Sequence, residues 1–281
     1  MTTVAANASM CKMSIFARNA SICYDLPYHY VAFSFGVNMF FGLPTNSFVL
    51  WLSMKEIIRG QSTEIFIFNT ALVEIIFSFA FILVILYYFF RCMACQIPTI
   101  TLGLIMLVGR PLFQSCICVE RYLGVAHPLT FLKLKPMKYR IACGVVGWMA
   151  IVSSCLTVLK DPFEMYMFLL PGYVAFFLIK LYTCSMVLKA LVRPGPRQRE
   201  AVNRDKIKAF RIMQIVLVSS MFTYIPVICS LVLYHILVYE RFLWYWSISL
   251  STGIIMGFVQ PFLYLRKVGK LSLCFSFNNV F

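Results

Sequence analysis

The sequence predicts an all-α membrane protein: a seven-transmembrane helix bundle with its N-terminus outside and a short amphipathic eighth helix. Composition points there first. Of the 281 residues, 61% are hydrophobic and 12% charged, and the mean hydropathy is +0.84. Soluble domains are about 45–50% apolar and about 25% charged. An ordinary soluble enzyme, a disordered chain and a small disulfide scaffold are therefore excluded. Run length points the same way. A spanning helix takes about 20 apolar residues, and apolar runs fall near 28–54, 65–90, 97–123, 140–160, 162–192, 207–238 and 242–265. Polar or Pro/Gly stretches separate them at 55–64, 91–96, 126–138, 160–162, 193–205 and 239–241. Nothing alternates over the roughly ten residues of a barrel strand. No internal repeat supports an inverted-repeat transporter.

Charge sets the orientation. With the N-terminus outside, 18 of the 25 Lys and Arg face the cytosol, 5 face outward, and Arg110 and Lys180 fall within spans. Cytosolic loops carry the excess of basic residues, so the net charge of +15 is a matter of sidedness and inner-leaflet contact, not of nucleic acid. Two Asn-x-Ser acceptors, Asn7 and Asn19, lie in the segment assigned outside, where glycosylation requires them to be. The chain divides into an extracellular segment 1–27, a bundle 28–265, and a cytoplasmic eighth helix and tail 266–281. No apolar core of signal-peptide length precedes the first span, which is expected to act as its own insertion signal. Multi-pass insertion in the plasma membrane follows.

The first span contains Gly42-Leu-Pro-Thr-Asn46, and the second contains Asn69-Thr-Ala-Leu-Val-Glu74. The third ends Cys116-Ile-Cys-Val-Glu120-Arg121-Tyr122, with His127-Pro128-Leu129 beyond it. The fourth carries Trp148, the sixth Phe222-Thr-Tyr224-Ile-Pro226, and the seventh Gln260-Pro261-Phe-Leu-Tyr264. This series resembles the rhodopsin-like (class A) G protein-coupled receptors over about 28–275. The Val-Glu-Arg-Tyr run, Pro194-Gly195-Pro196 and the Pro-Phe-Leu-Tyr ending are similar to the branch of nucleotide, protease-activated and fatty-acid receptors.

The resemblance implies a receptor that couples an external small molecule or peptide to a heterotrimeric G protein, with no cofactor, no metal and no enzyme activity. It implies a switch at Glu120, Arg121 and Tyr122, with Glu120 holding Arg121 in the inactive state. It assigns kinks to Pro226 and Pro261, a lever to Tyr224 and an inward-swinging ring to Tyr264. The bland alternative for Arg121 is a side chain snorkelling to the interface. The polar core would be Asn46, Glu74, Arg110 and Gln260. The family has Asp and a small polar residue at the positions of Glu74 and Arg110, where they help bind sodium. Here Arg110 is expected to supply the cation and pair with Glu74, because ionisable groups deep in a span are costly and rarely accidental. The alternative is that each faces a water-filled cavity.

The cysteines and outer loops give further expectations. Of 11 Cys, most lie in apolar runs as small hydrophobes. Cys92 and Cys95 form a Cys-x-x-Cys without a second pair or nearby His, so zinc is not expected. The resemblance favours Cys95 as the cysteine at the outer end of the third span, with a bridge to Cys11 or Cys23 open. Cys274 is a candidate palmitoylation site beside the basic 266–270, or a free thiol. The second outer loop shrinks to 160–162 and holds no cysteine, so its family disulfide cannot form. Either the pocket is unlidded or a segment has been lost, and a receptor-like protein that does not signal is the first alternative. A transporter or channel is the second. Where nucleotide receptors carry His and then Arg or Lys, this chain has Ile228 and Leu231. His235 and Arg241 are candidate contacts for an acidic ligand, or plain interfacial residues.

Overall fold

A computed structural model describes residues 25–90, 92–134, 136–160, 164–192, 200–233 and 239–268. Among these residues every regular element is helical. The order is α1 (Asp25–Val37), a π turn (Asn38–Gly42), α2 (Leu43–Ile58), a 3-10 turn (Ser62–Glu64), α3 (Ile65–Ser78), α4 (Ala80–Phe90) and a 3-10 turn (Met93–Cys95). Then come α5 (Gln96–Ala126), α6 (Pro128–Lys133), α7 (Met137–Lys160), α8 (Glu164–Val192), α9 (Glu200–Leu233) and α10 (Tyr239–Val268). Among the described residues six stretches can cross a membrane by length and composition: Ser62–Tyr87, Met93–Ala126, Met137–Thr157, Leu169–Ala190, Phe210–Leu233 and Arg241–Val259.

Residues 25–58 run without a break from α1 through the π turn into α2. The π turn has a local cause. Pro44 brings no N–H to the helix, and the Leu43 N–H reaches back to the Asn38 carbonyl instead. Such single wide turns absorb an irregularity without ending the helix. Gly42 is required there, because a Cβ would overlap the Asn38 side chain. Asn38 is fully buried and donates to Ser78 Oγ at 3.1 Å, tying the π turn to α3.

α5 is the central helix. In its apolar window 61% of residues are buried, against 28–50% in the other five stretches. It packs on α3, α4, α7, α8 and α9, while α10 closes the bundle against α9 and α1. Gly109 makes the α3–α5–α7 contact close: a Cβ there would lie 2.9 Å from Val73 and 3.0 Å from Ile151. Small residues let spanning helices approach in this way. The outside of the bundle is apolar. On α7, Val145, Met149, Val152 and Leu156 lie at helical spacing and are 53–58% exposed, which fits a lipid-facing surface and no aqueous one. The stretch 126–138, expected as a loop, contains the short helix α6, opened by Pro128 in its first turn, where a missing N–H does no harm.

Candidate functional site

The centre of the bundle holds a buried ion pair. Glu74 on α3 and Arg110 on α5 are each 2% exposed. Arg110 grips the carboxylate with two nitrogens: Nε meets Oε1, and Nη2 donates to Oε2 at 2.6 Å. Its third nitrogen, Nη1, donates to the Gly253 carbonyl on α10 at 2.5 Å. A forked guanidinium suits this bidentate geometry. Gly257 provides the space, since a Cβ there would lie 2.6 Å from Arg110 Nη2 and 2.7 Å from Glu74 Oε2. The structure thus brings Glu74 and Arg110 into contact and adds Gly253 and Gly257, which sequence reading missed.

Proline arithmetic explains two further bonds. A proline in a helix leaves the carbonyl four residues earlier without its donor. Pro261 frees the Gly257 carbonyl, which accepts from Asn46 Nδ2 at 3.3 Å. Pro111 frees the Leu107 carbonyl, which accepts from the Tyr173 hydroxyl at 3.0 Å. In both cases a buried side chain from another helix satisfies the orphaned oxygen, as buried backbone groups require. Two small cavities flank the pair. One of about 50 Å³ lies among Asn46, Thr70, Glu74, Gly257 and Pro261. The other, about 10 Å³, lies against Arg110, Tyr173, Tyr224 and Gly253.

A second polar cluster sits beside the first. Gln114, one helical turn beyond Arg110 on α5, accepts from Lys180 Nζ at 2.9 Å and from the Tyr224 hydroxyl at 3.0 Å. Lys180 also reaches Ser220 Oγ at 3.0 Å and lies 4.5 Å above the Tyr224 ring. Tyr224 stacks on Tyr173 with 5.2 Å between centroids. Lys180 is fully buried, and these partners are neutral. Three helices, α5, α8 and α9, are therefore tied through one amine. Removing an amine whose burial is costly offsets the loss of its hydrogen bonds to Gln114 and Ser220, so Lys180→Met is expected to change stability by less than about 1 kcal/mol. Gln114→Leu removes the shared acceptor and is expected to cost about 2 kcal/mol. Thermal unfolding in lipid nanodiscs checks both, and a large loss with Lys180→Met would show that the amine itself stabilises the bundle.

At the C-terminal end of α5 the partners differ from the expectation. Glu120 does not hold Arg121. It pairs with Arg140 at 2.6 Å, both side chains being 6% exposed. Arg140 also bonds Ser62 Oγ and lies 5.3 Å from the Phe131 ring. Arg121 lies 3.8 Å from Glu64 in the turn before α3. The reason is helical: consecutive residues point in different directions and do not face each other. Glu120 turns toward α7 and Arg121 toward α3. The Arg121 side chain is 21% exposed, and its buried Nε makes no hydrogen bond among the described residues. Tyr122 Oη sits 3.0 Å from His127 Nε2. Charged residues at opposed inner helix ends were the available signal for Glu64 and Arg140.

Other predicted positions are spread out. Trp148 donates to Asn69 Oδ1 at 2.8 Å. Pro226 and Pro261 lie inside α9 and α10. Ser249 Oγ donates to the Pro226 carbonyl at 3.0 Å, stitching α9 and α10 together. Gln260 and Tyr264 are on α10, but their side chains lie outside the described ones. Arg241 is exposed in the first turn of α10, while Asn7, Asn19, Cys11, Cys23, His235 and Cys274 lie outside the described residues. Among the described residues no group of three His, Cys, Asp or Glu could hold a metal.

A helical bundle with Glu-Arg-Tyr near the end of its central helix, a proline in each of two neighbouring spans and a polar centre keeps together the features that carry the resemblance to rhodopsin-like receptors. The relatives named here are all purinoceptors. The chain is similar to purinoceptor 1 of Rattus norvegicus, 25% identical over 158 residues, covering 54% of this chain and 42% of that protein. It is 30% identical over 136 residues to purinoceptor 3 of Gallus gallus, covering 43% and 39%. It is 23% identical over 206 residues to purinoceptor 8 of Gallus gallus, covering 63% and 54%. The chain is thus similar to purinoceptors over part of its length and part of theirs. The aligned stretches span between 39% and 54% of these relatives' own lengths. No family model matches.

Proposed function

We propose that this chain is a seven-helix receptor of the plasma membrane, N-terminus outside, that passes an extracellular signal to a heterotrimeric G protein. The seventh span is the run 25–58, counted with the six stretches given above. The eighth helix expected at 266–281 lies, from 269 onward, outside the described residues. The observation that carries the reading is Arg121: a cation at the inner end of the central helix, loosely tied to Glu64 while its neighbour Glu120 pairs with Arg140. Such an arginine can exchange a weak internal partner for a cytosolic one. Receptor activation is then an equilibrium between two packings, biased by a ligand that binds them unequally. Pro226 and Pro261 are the hinges, and the Gln114–Lys180–Tyr224 cluster ties the closed packing together.

The relatives are purinoceptors by name. In this chain Leu231 is 3% exposed and Ile228 is packed against the core, so neither offers a charge to a phosphate. A nucleotide ligand is therefore left out of the proposal, and the ligand class stays at a small molecule or peptide. One observation favours the receptor-like, non-signalling alternative: α7 ends at Lys160 and α8 begins at Glu164, which leaves only 161–163 between them to cover a ligand.

Binding of a non-hydrolysable GTP analogue to membranes decides between the two. Cells co-expressing the chain with each Gα class are expected to show binding above untransfected membranes. Arg121→Ala, at matched surface level, is expected to return it to baseline. Equal binding in wild type and variant across all Gα classes would support the non-signalling alternative.

A further inference from the structure

The turn joining α4 to α5 carries two cysteines. Cys92 precedes the 3-10 turn Met93–Cys95, and the Cys95 N–H donates to the Cys92 carbonyl at 3.0 Å. The Cys92 N–H is itself bonded to the Leu86 carbonyl at 3.3 Å. A 3-10 turn repeats every three residues, so side chains three apart eclipse. The two sulfurs lie 2.6 Å apart. Cys95 is 8% exposed and Cys92 is half-buried. With no third ligand of metal-binding type among the described residues, the pair is a dithiol without a cation to hold.

We propose that Cys92 and Cys95 form a disulfide with each other, a local clip at the outer end of the central helix. The proposal rests on the receptor reading in one respect, the placement of this turn on the outer face, where disulfides persist. The oxidant is a disulfide of the secretory lumen, carried by a thiol–disulfide oxidoreductase or by glutathione. The more exposed Cys92 thiolate attacks it and forms a mixed disulfide, releasing one thiolate. The Cys95 thiolate then attacks Cys92 Sγ and displaces the second. The cysteine pair loses two protons and two electrons, and the oxidant becomes two thiols. The bridge occupies the sulfur that would otherwise reach toward Cys11 or Cys23. It closes a short loop, so it constrains little of the unfolded chain. Its effect is on the outer end of α5, not on global stability.

Differential alkylation of the full chain in intact cells tests this. A membrane-impermeant maleimide is applied before or after an impermeant phosphine reductant, and the peptide containing both cysteines is read by mass spectrometry. The expected result is no label before reduction, two labels after it, and an unreduced mass lower by two hydrogens. Cys92→Ala should leave Cys95 labelled without any reductant. Two labels before reduction would overturn the bridge, as would a cross-link from either residue to Cys11 or Cys23. Labelling by a permeant maleimide alone would place the turn in the cytosol and overturn both the clip and the outside placement. A free dithiol labelled by the impermeant reagent would leave that placement standing and defeat only the clip.

Discussion

Arg110→Ala is expected to lower the stability of the bundle by about 3–5 kcal/mol, because it leaves the buried Glu74 carboxylate without its cation. The other buried basic side chain of the centre, Lys180, is held in the adjacent cluster by Gln114 and Ser220. The loss belongs to the stranded charge, so removing both charges should recover most of it. Glu74→Leu combined with Arg110→Met keeps the volume and is expected to melt near wild type. Sodium gives a second readout. With the guanidinium seated on both carboxylate oxygens, the wild-type melting point should be the same in sodium and choline chloride. Arg110→Ala should be partly rescued by sodium. A single variant that melts like wild type in both salts would contradict the pair.

Gly257→Ala is expected to cost about 1–3 kcal/mol from overpacking alone. The added Cβ falls against both partners, at 2.6 Å from a guanidinium nitrogen and 2.7 Å from a carboxylate oxygen. Neither can retreat without giving up the fork. The effect should be coupled to the pair: in the Glu74→Leu/Arg110→Met background, Gly257→Ala should cost less, since an apolar side chain can turn aside. Thermal unfolding of the four proteins gives the interaction free energy. Strict additivity would show that Gly257 acts independently of the ion pair.

Much of this was legible in the sequence, and the limits have physical causes. Apolar runs of membrane length announced the helices, because lipid forces backbone hydrogen bonds inside each segment. Glu74 and Arg110 stood out as charges in the middle of spans. Lys180 stood out too, but its partners Gln114, Ser220 and Tyr224 are common residues with no signature of their own. The Asn46–Gly257 and Tyr173–Leu107 bonds were within reach, since each follows from counting back four residues from a proline. The Glu120–Arg140 pairing was not, because it depends on which way α7 enters beside α5. The π turn at Asn38–Gly42 was also hidden: Pro44 warned of a disturbance but not of its form.

Among the described residues six stretches meet the length and composition of a membrane span, and the proposed seventh is the helical run 25–58 with its π turn at Asn38–Gly42. The number of crossings decides whether Arg121 faces a G protein at all. Different epitopes fused before Met1 and after Phe281, probed on intact and permeabilised cells, measure this directly. The account predicts that the first epitope is stained on intact cells and the second only after permeabilisation, giving an odd number of crossings and an inner Arg121. Both epitopes on one side of the membrane would mean an even number and would contradict the receptor reading.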